Sequence, residues 1–261
     1  MIILKNKIKR ILLLYGHHYN IGGVVNFYDK LDERIEQSKY EIIHIRVGRI
    51  QKYKMFNFFL LRIFDLGYNY LKFIVDLILN KPALIHLNPS LNKKSIYRDY
   101  LYLIISRLFI KNVKILMHIR GWEENLALDF KSKNVFNNTF RKMAERANII
   151  IVLASQFKER MLDVIDSPKK IIVMPTTVDV NSFQEKLKSN SKDTFNILFL
   201  SRIIRNKGIF EIVNSIENIM MYNQQKKIKF IFAGDGIDKR SLEKYVIDKK
   251  LENYVEFTGY V

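Results

Sequence analysis

Cysteine is missing altogether from this 261-residue chain. That excludes disulfide frameworks and thiolate metal sites, and it leaves a cytoplasmic setting as the expectation. Long hydrophobic runs are missing too. The most lipid-like stretch, residues 55–79, is broken by Arg62, Asp65, Lys72 and Asp76, short of the roughly 20 apolar residues a spanning helix needs. It reads as interfacial at most. The short apolar run Ile11 to Tyr15 behind Lys5, Lys7, Lys9 and Arg10 meets His17 and His18 instead of a cleavage site, so it reads as a first strand.

Acidic residues are scarce: 26 Asp and Glu stand against 44 Lys and Arg, a formal charge of +18. Such an excess suits an anionic membrane surface, a phosphorylated substrate or nucleic acid, although a lysine-rich composition bias would produce it as well. Nucleic acid is not expected, because no basic run is dense enough for a binding arm and no helix-turn-helix, zinc-finger or RNA-recognition signature occurs. Several catalytic signatures are absent as well. There is no P-loop, no G-x-G-x-x-G and no G-x-S-x-G. No Asp-x-Asp pair is available to hold a divalent ion, and the adjacent His17 and His18 cannot share one helical face, so no metal is expected.

What the sequence does contain is alternation. Strand-like runs at Ile11–Tyr15, Tyr40–Val47, Ala83–Leu87, Val113–Ile119, Asn148–Ala154 and Ile171–Met174 are separated by segments of helical period. Ser132 and Ser155 are expected helix caps. Residues 181–194 turn to Ser, Asn, Lys and Asp, as a linker would, so a first domain is expected over 1–184 and a second over 185–261. Within the second, strand-like runs at Phe195–Leu200, Ile228–Ala233 and Val255–Thr258 flank two helical patterns. The whole reads as α/β layers around parallel sheets, whose ligands bind at the carboxyl ends of the strands. His17, His18, Gly22, Gly23, His86, Asn88, Arg120, Arg202, Lys207, Asp235 and Gly236 all fall at such ends. His44 falls inside a strand, where packing is the simpler role.

Arg202 and Lys207 bracket a turn that leads through Gly208 into a helix. A glycine admits a phosphate to the backbone, a helix start offers unpaired N–H groups, and two cations complete a cradle for an anion. A solvated basic loop would look the same. Gly234-Asp235-Gly236 could likewise hold a ligand or simply turn the chain.

Read in order, these segments carry a resemblance. Residues 195–208 (FNILFLSRIIRNKG), 230–236 (FIFAGDG) and 255–261 (VEFTGYV) closely resemble the nucleotide-sugar-binding half of family-4 retaining glycosyltransferases of the GT-B fold. Gly22-Gly23, 86–90 (HLNPS), 117–122 (MHIRGW) and 173–179 (VMPTTVD) are similar to the acceptor domain and interdomain approach of that family. The resemblance implies a GT-B-like fold of two Rossmann-like parallel-sheet domains, the second incomplete. Members continue past the strand at Val255 into a motif of two glutamates separated by seven residues, whereas this sequence stops at Val261.

The resemblance also implies an activity: transfer of a sugar, with retention, from a nucleotide-diphosphate sugar to a glycan or lipid-linked acceptor, in cell-surface polysaccharide synthesis at the inner membrane face. Arg202, Lys207 and Gly208 would bind the donor diphosphate, with Gly22 and Gly23 approaching the same phosphates and Tyr260 and Val261 lying against the nucleobase. Where the family commonly has a histidine facing the donor sugar, this chain has Arg120, and His118 lies two residues earlier on the same side of the strand. Both are candidates for a catalytic role. No cofactor is implied, because the nucleotide sugar is a substrate. The missing glutamates imply impaired activity, and the rival expectation is a non-catalytic protein that binds nucleotide sugars or serves as a scaffold.

Overall fold

A computed structural model describes residues 8–16, 27–28, 39–47, 59–176, 194–222 and 227–260. The chain divides into two compact units, Met1–Val180 and Asn181–Val261. Gln184, where the composition suggested a boundary, lies outside the described residues.

Unit 1 holds a six-stranded, all-parallel sheet in the order β2-β1-β3-β5-β7-β8. Its strands are β1 (Lys9–Gly16), β2 (Tyr40–Val47), β3 (Leu84–Leu87), β5 (Lys114–His118), β7 (Ile149–Val152) and β8 (Ile171–Val173). Two-residue strands β4 (Ser90–Leu91) and β6 (Gly121–Trp122) form a separate parallel pair. Around them run helices α1 (Phe59–Asn80), α2 (Lys93–Phe109), α3 (Glu124–Leu128), α4 (Val135–Arg146) and α5 (Ser155–Leu162).

Apolar alternation in β1 sorts its two faces. Leu12 and Leu14 join the main core with Ile85, Leu87, Ile115, Met117, Ile150 and Val152, while Leu13 and Tyr15 pack with Tyr28 on the opposite face. A sheet buried on both sides reads as near-continuous Ile, Leu and Val, as these strands do. His44 in β2 sets its ring edge-on to Tyr15, 5.5 Å between centroids. From β1 the chain passes to β2 on one side and later returns to β3 on the other, so the sheet's switch point lies between β1 and β3, the place where open parallel sheets bind ligands.

Two expected caps move by a residue or two. Asn134, not Ser132, caps α4, its side chain accepting from the Asn137 N–H at 2.8 Å. The Ser132 hydroxyl instead donates to Asp129 Oδ2 at 2.8 Å. Ser155 is the first residue of α5, and the cap position belongs to Ala154, which offers no side-chain acceptor. On α2, Arg98 forms a two-pronged pair with Asp99, 2.7 and 2.9 Å, and Asp99 is almost fully buried. Arg98 is thereby tied into the structure of the helix.

Unit 2 is a three-stranded parallel sheet in the order β11-β10-β9, with β9 (Thr194–Leu200), β10 (Lys227–Ala233) and β11 (Val255–Gly259). Helices α6 (Ile209–Tyr222) and α7 (Lys239–Asp248) cover it. Phe199, Phe232 and Phe257 stand side by side across the three strands, centroids 5.3 and 5.4 Å apart. Together with Ile209, Val213, Ile216, Leu242 and Val246 they form the second core. Each such cross-strand aromatic pair adds about 0.5–1.5 kcal/mol beyond its area.

Candidate functional site

Unit 2 builds its site from two loops. The segment after β9 runs Ser201 to Gly208, and its backbone is bonded to the segment after β10 well past the strand ends. Ser201 N–H donates to Ala233 O (3.1 Å), Ile203 N–H to Asp235 O (2.9 Å) and Asp238 N–H to Ile203 O (3.3 Å). Asp238 adds a side-chain bond, accepting from the Arg205 N–H at 2.8 Å. Such close contact requires glycine. A Cβ on Gly234 would lie 2.0 Å from Ser201 O, and one on Gly236 would lie 2.1 Å from Ile203 O. Gly234 also has φ +143, a conformation few side-chain-bearing residues adopt. These glycines therefore serve the meeting of two loops, which a reading of the local turn alone does not reveal.

The outcome is a fixed basic edge. Arg202, Arg205 and Lys207 are all exposed there, and the Arg205 guanidinium lies over the Phe210 ring at 5.0 Å. Residues Arg205–Lys207 form one 3-10 turn, and Gly208, with φ +74, reverses the chain so that α6 begins at Ile209. Gly208 thus ends the turn before the helix instead of starting the helix itself. Tyr260 follows β11 and is exposed. Gly22, Gly23 and Val261 lie outside the described residues.

Unit 1 gathers its candidates at the switch point, around the carboxyl ends of β3 and β5. Asn88, just past β3, donates from Nδ2 to the Leu14 carbonyl of β1 at 2.8 Å. Tyr28, in a helical position of the segment after β1, is fully buried, and its hydroxyl donates to Asn88 Oδ1. The same hydroxyl lies 3.3 Å from His86 Nε2 and 3.1 Å from His118 Nδ1. The two imidazoles stack, 5.7 Å apart and tilted by 11°. Arg120 sits above this group, its guanidinium 3.8 Å over the Phe27 ring and 5.0 Å from the Tyr28 ring. Its Nη1 donates to Thr176 Oγ1 at 3.2 Å.

Backbone contacts hold these positions. Arg120 N–H donates to Pro89 O at 3.1 Å, and Ser90 then pairs with Gly121. A Cβ on Gly121 would lie 2.7 Å from Ser90 Oγ. The segments 86–90 and 117–122 are therefore zipped together. Beside them Trp122 stacks on Phe157 at 4.3 Å and donates from Nε1 to Glu124 Oε2 at 2.8 Å.

Burial and the Arg120 charge act in one direction on the histidines. Burial, then His118 and Arg120, lowers His86 to about 3, and burial with Arg120 lowers His118 to about 3. Burial raises Tyr28, partly offset by Arg120 and by its bond to Asn88. At neutral pH the cluster is an uncharged phenol and two neutral imidazoles beside one cation. Three of its buried polar atoms have no partner: His118 Nε2, Arg120 Nε and Arg120 Nη2. Such atoms are costly unless something binds them.

Of the residues singled out in the sequence, His86, Asn88, His118 and Arg120 are brought together in unit 1, and Arg202, Lys207 and Gly208 in unit 2. Tyr28, the centre of the first group, had only its place on an apolar stripe to mark it. Among the described residues no cluster of His, Asp or Glu could hold a metal ion. No helix among them is long and apolar enough to cross a membrane.

Residues 179–261 match the family model described as glycosyl transferases group 1. A 119-residue stretch is 30% identical to the phosphatidylinositol N-acetylglucosaminyltransferase gpi3 subunit of Schizosaccharomyces pombe, covering 46% of this chain and 26% of that protein. A stretch of 86 residues is 30% identical to the alpha-monoglucosyldiacylglycerol synthase of Acholeplasma laidlawii, covering 33% of this chain and 21% of that protein. The matched stretches thus span about a quarter of the curated relatives' lengths. Among solved structures, the lipopolysaccharide outer core galactosyltransferase WaaB in its apo form has a similar fold, with TM-score 0.57 and 14% identity over 97% of this chain and 68% of that one.

Proposed function

We propose a retaining glycosyltransferase, starting from a C-terminal segment that matches the glycosyl transferases group 1 model and from a chain of GT-B-like α/β fold. It takes a nucleotide-diphosphate sugar as donor and a glycan or lipid-linked molecule as acceptor. The observation that carries this reading is the basic edge of unit 2. Arg202 and Lys207 stand exposed on a loop bonded to Ala233, Asp235 and Asp238 of its neighbour, an approach that Gly234 and Gly236 make possible. The backbone that carries these cations is fixed, and positive charge placed there favours a diphosphate most as the sugar bond breaks. In this reading Gly208 lets phosphate oxygens approach and Tyr260 stacks on the base, while Gly22 and Gly23 keep the donor-binding role that the resemblance implies for them. Catalysis then calls for no cofactor.

The acceptor side rests on different support. Both curated relatives carry a lipid in their names, and unit 1 exposes an apolar stripe on α1, with Tyr68, Leu71, Val75, Ile78 and Leu79 facing solvent. With the +18 charge this suits a cytoplasmic protein held at an anionic membrane face, in the synthesis of a cell-surface polysaccharide. His118 and Arg120 are the groups of unit 1 nearest in type to a catalytic pair.

The test is calorimetric titration of the chain with UDP, GDP and ADP sugars, beside an assay for sugar transfer and the anomeric configuration of the product. One nucleotide sugar binds, and Arg202→Ala with Lys207→Ala weakens it by about a hundredfold, on the order of 1.4 kcal/mol for each charge-assisted hydrogen bond removed. Binding without transfer would turn the reading toward a non-catalytic nucleotide-sugar protein. No binding, or binding indifferent to both substitutions, removes it.

A further inference from the structure

Four hydrogen bonds in unit 1 fix where the protons of the Tyr28 cluster lie. Asn88 Nδ2 donates to the Leu14 carbonyl at 2.8 Å, so the oxygen of that amide, not its nitrogen, faces Tyr28. The single phenolic proton of Tyr28 is thereby committed to Asn88 Oδ1. With its proton used, the Tyr28 oxygen can only accept. The groups facing it are the two ring nitrogens, His118 Nδ1 at 3.1 Å and His86 Nε2 at 3.3 Å, together with the Arg120 guanidinium. A neutral imidazole has one N–H, and burial beside Arg120 keeps His118 neutral. In the arrangement inferred below its proton sits on Nδ1, facing the accepting Tyr28 oxygen, so Nε2 carries a lone pair. That atom is buried and without a partner, on a side chain only 3% exposed.

Arg120 supplies the complement. Thr176 occupies Nη1, and the Phe27 ring beneath the guanidinium sets its plane. The unpartnered Nε and Nη2 lie on the opposite edge, where the two N–H bonds run parallel. Spaced in this way, they match two oxygens of one carboxylate or phosphate, a geometry lysine cannot reproduce. The Pro89–Arg120 backbone bond and the Ser90–Gly121 pairing hold both elements in place before any ligand arrives.

We propose that the Nε–Nη2 edge of Arg120 and Nε2 of His118 form a subsite for a ligand that carries an oxyanion beside a hydroxyl group. The oxyanion lies bidentate on Arg120, and the hydroxyl donates to His118. Tyr28 is the positioning residue, since its accepting oxygen keeps the His118 proton on Nδ1. Calling that ligand the acceptor rests on the glycosyltransferase reading; the subsite itself does not. Its anion is a carboxylate, as on a sugar acid, or a phosphate, as on a sugar phosphate or lipid headgroup.

The experiment uses the full chain labelled with 15N, whose long-range proton–nitrogen spectra separate protonated from bare ring nitrogens. Before ligand, His118 shows a protonated Nδ1 and a bare Nε2. Glucuronate or glucose 1-phosphate, or both, shifts His118 Nε2 and Arg120 Nε, and glucose does not; the anion that acts identifies the source. Arg120→Lys, which keeps the charge and loses the fork, binds about tenfold more weakly. Tyr28→Phe, checked for folding by circular dichroism, lets the His118 proton distribute over both nitrogens. A protonated Nε2 in the free protein, an equal response to glucose, or undiminished binding by Arg120→Lys would each overturn the subsite. Nucleotide-sugar binding through Arg202 and Lys207 with no response to either anion sinks the subsite and leaves the transferase reading standing. Anion binding without nucleotide-sugar binding does the reverse.

Discussion

Replacing Gly236 with alanine places a methyl group 2.1 Å from Ile203 O, 2.7 Å from its carbonyl carbon and 2.9 Å from its nitrogen. All three are backbone atoms, so no side chain can swing aside. Ordinary contact requires the two loops to part by about 1 Å, and overpacking of this kind costs roughly 1–3 kcal/mol. Parting them also stretches the Ile203–Asp235 and Asp238–Ile203 hydrogen bonds, 2.9 and 3.3 Å, at about 1 kcal/mol each. The expected loss is thus about 3–5 kcal/mol. For a unit of about 80 residues, whose whole stability is on the order of 4–12 kcal/mol, that is a large share.

Urea unfolding of the full chain measures this loss, followed by circular dichroism and by fluorescence of Trp122, the chain's single tryptophan, in unit 1. Gly67→Ala serves as the control, because nothing lies within 4 Å of its Cβ and the residue is exposed in the middle of α1. That change should stabilise by about 0.5–1 kcal/mol. A Gly236→Ala protein within about 0.5 kcal/mol of wild type, with amide exchange at 201–205 unaltered, would refute the packing argument, since neutral surface changes fall in that range.

Acid should unfold the protein earlier than its carboxylates alone require. His86 and His118 fall to about 3 in the folded chain, so between pH 6.5 and about 3 the unfolded chain binds more protons. Their contribution to stability is complete above pH 6.5 and declines by about 1.4 kcal/mol per pH unit for each histidine as pH falls through that window. His86→Asn with His118→Asn should flatten the slope, measured as urea midpoint against pH; an unchanged slope would show that the pair is not responsible. At α2, Asp99→Asn leaves Arg98 without its counter-ion. We expect a loss of about 2–3 kcal/mol by thermal or urea unfolding, below the usual figure for a buried pair because Arg98 is 26% exposed. No measurable loss would mean the pair is solvated.

The parts of the fold legible in the sequence are those dictated by near neighbours. Tyr40–Val47 is recognisable as a strand because its β-branched alternation is local, and the structure has the same bounds. The cap of α4 was ambiguous for an equally local reason: Ser132 and Asn134 both accept N–H bonds, and the choice between them turns on where the Asp129 carboxylate points. Tyr28 could not be singled out, since the residues it meets, His86, Asn88 and His118, lie 58, 60 and 90 positions away. Gly234 and Gly236 invited a turn or ligand reading, yet their requirement comes from Ser201 and Ile203 on another strand's loop. For Tyr28 and for the two glycines the deciding partner is brought in by the parallel sheet.

The loops after β9 and β10 are laced by their own backbones, with Gly234 and Gly236 as the eyelets. This makes residues 201–208 and 234–238 a single module for protein engineering. A basic loop transplanted alone from another sequence would arrive against the wrong carbonyls and lose its shape. Transplanted with its partner loop, it should keep both its curvature and the placement of its cations, so the basic edge is exchangeable only as a matched pair of segments.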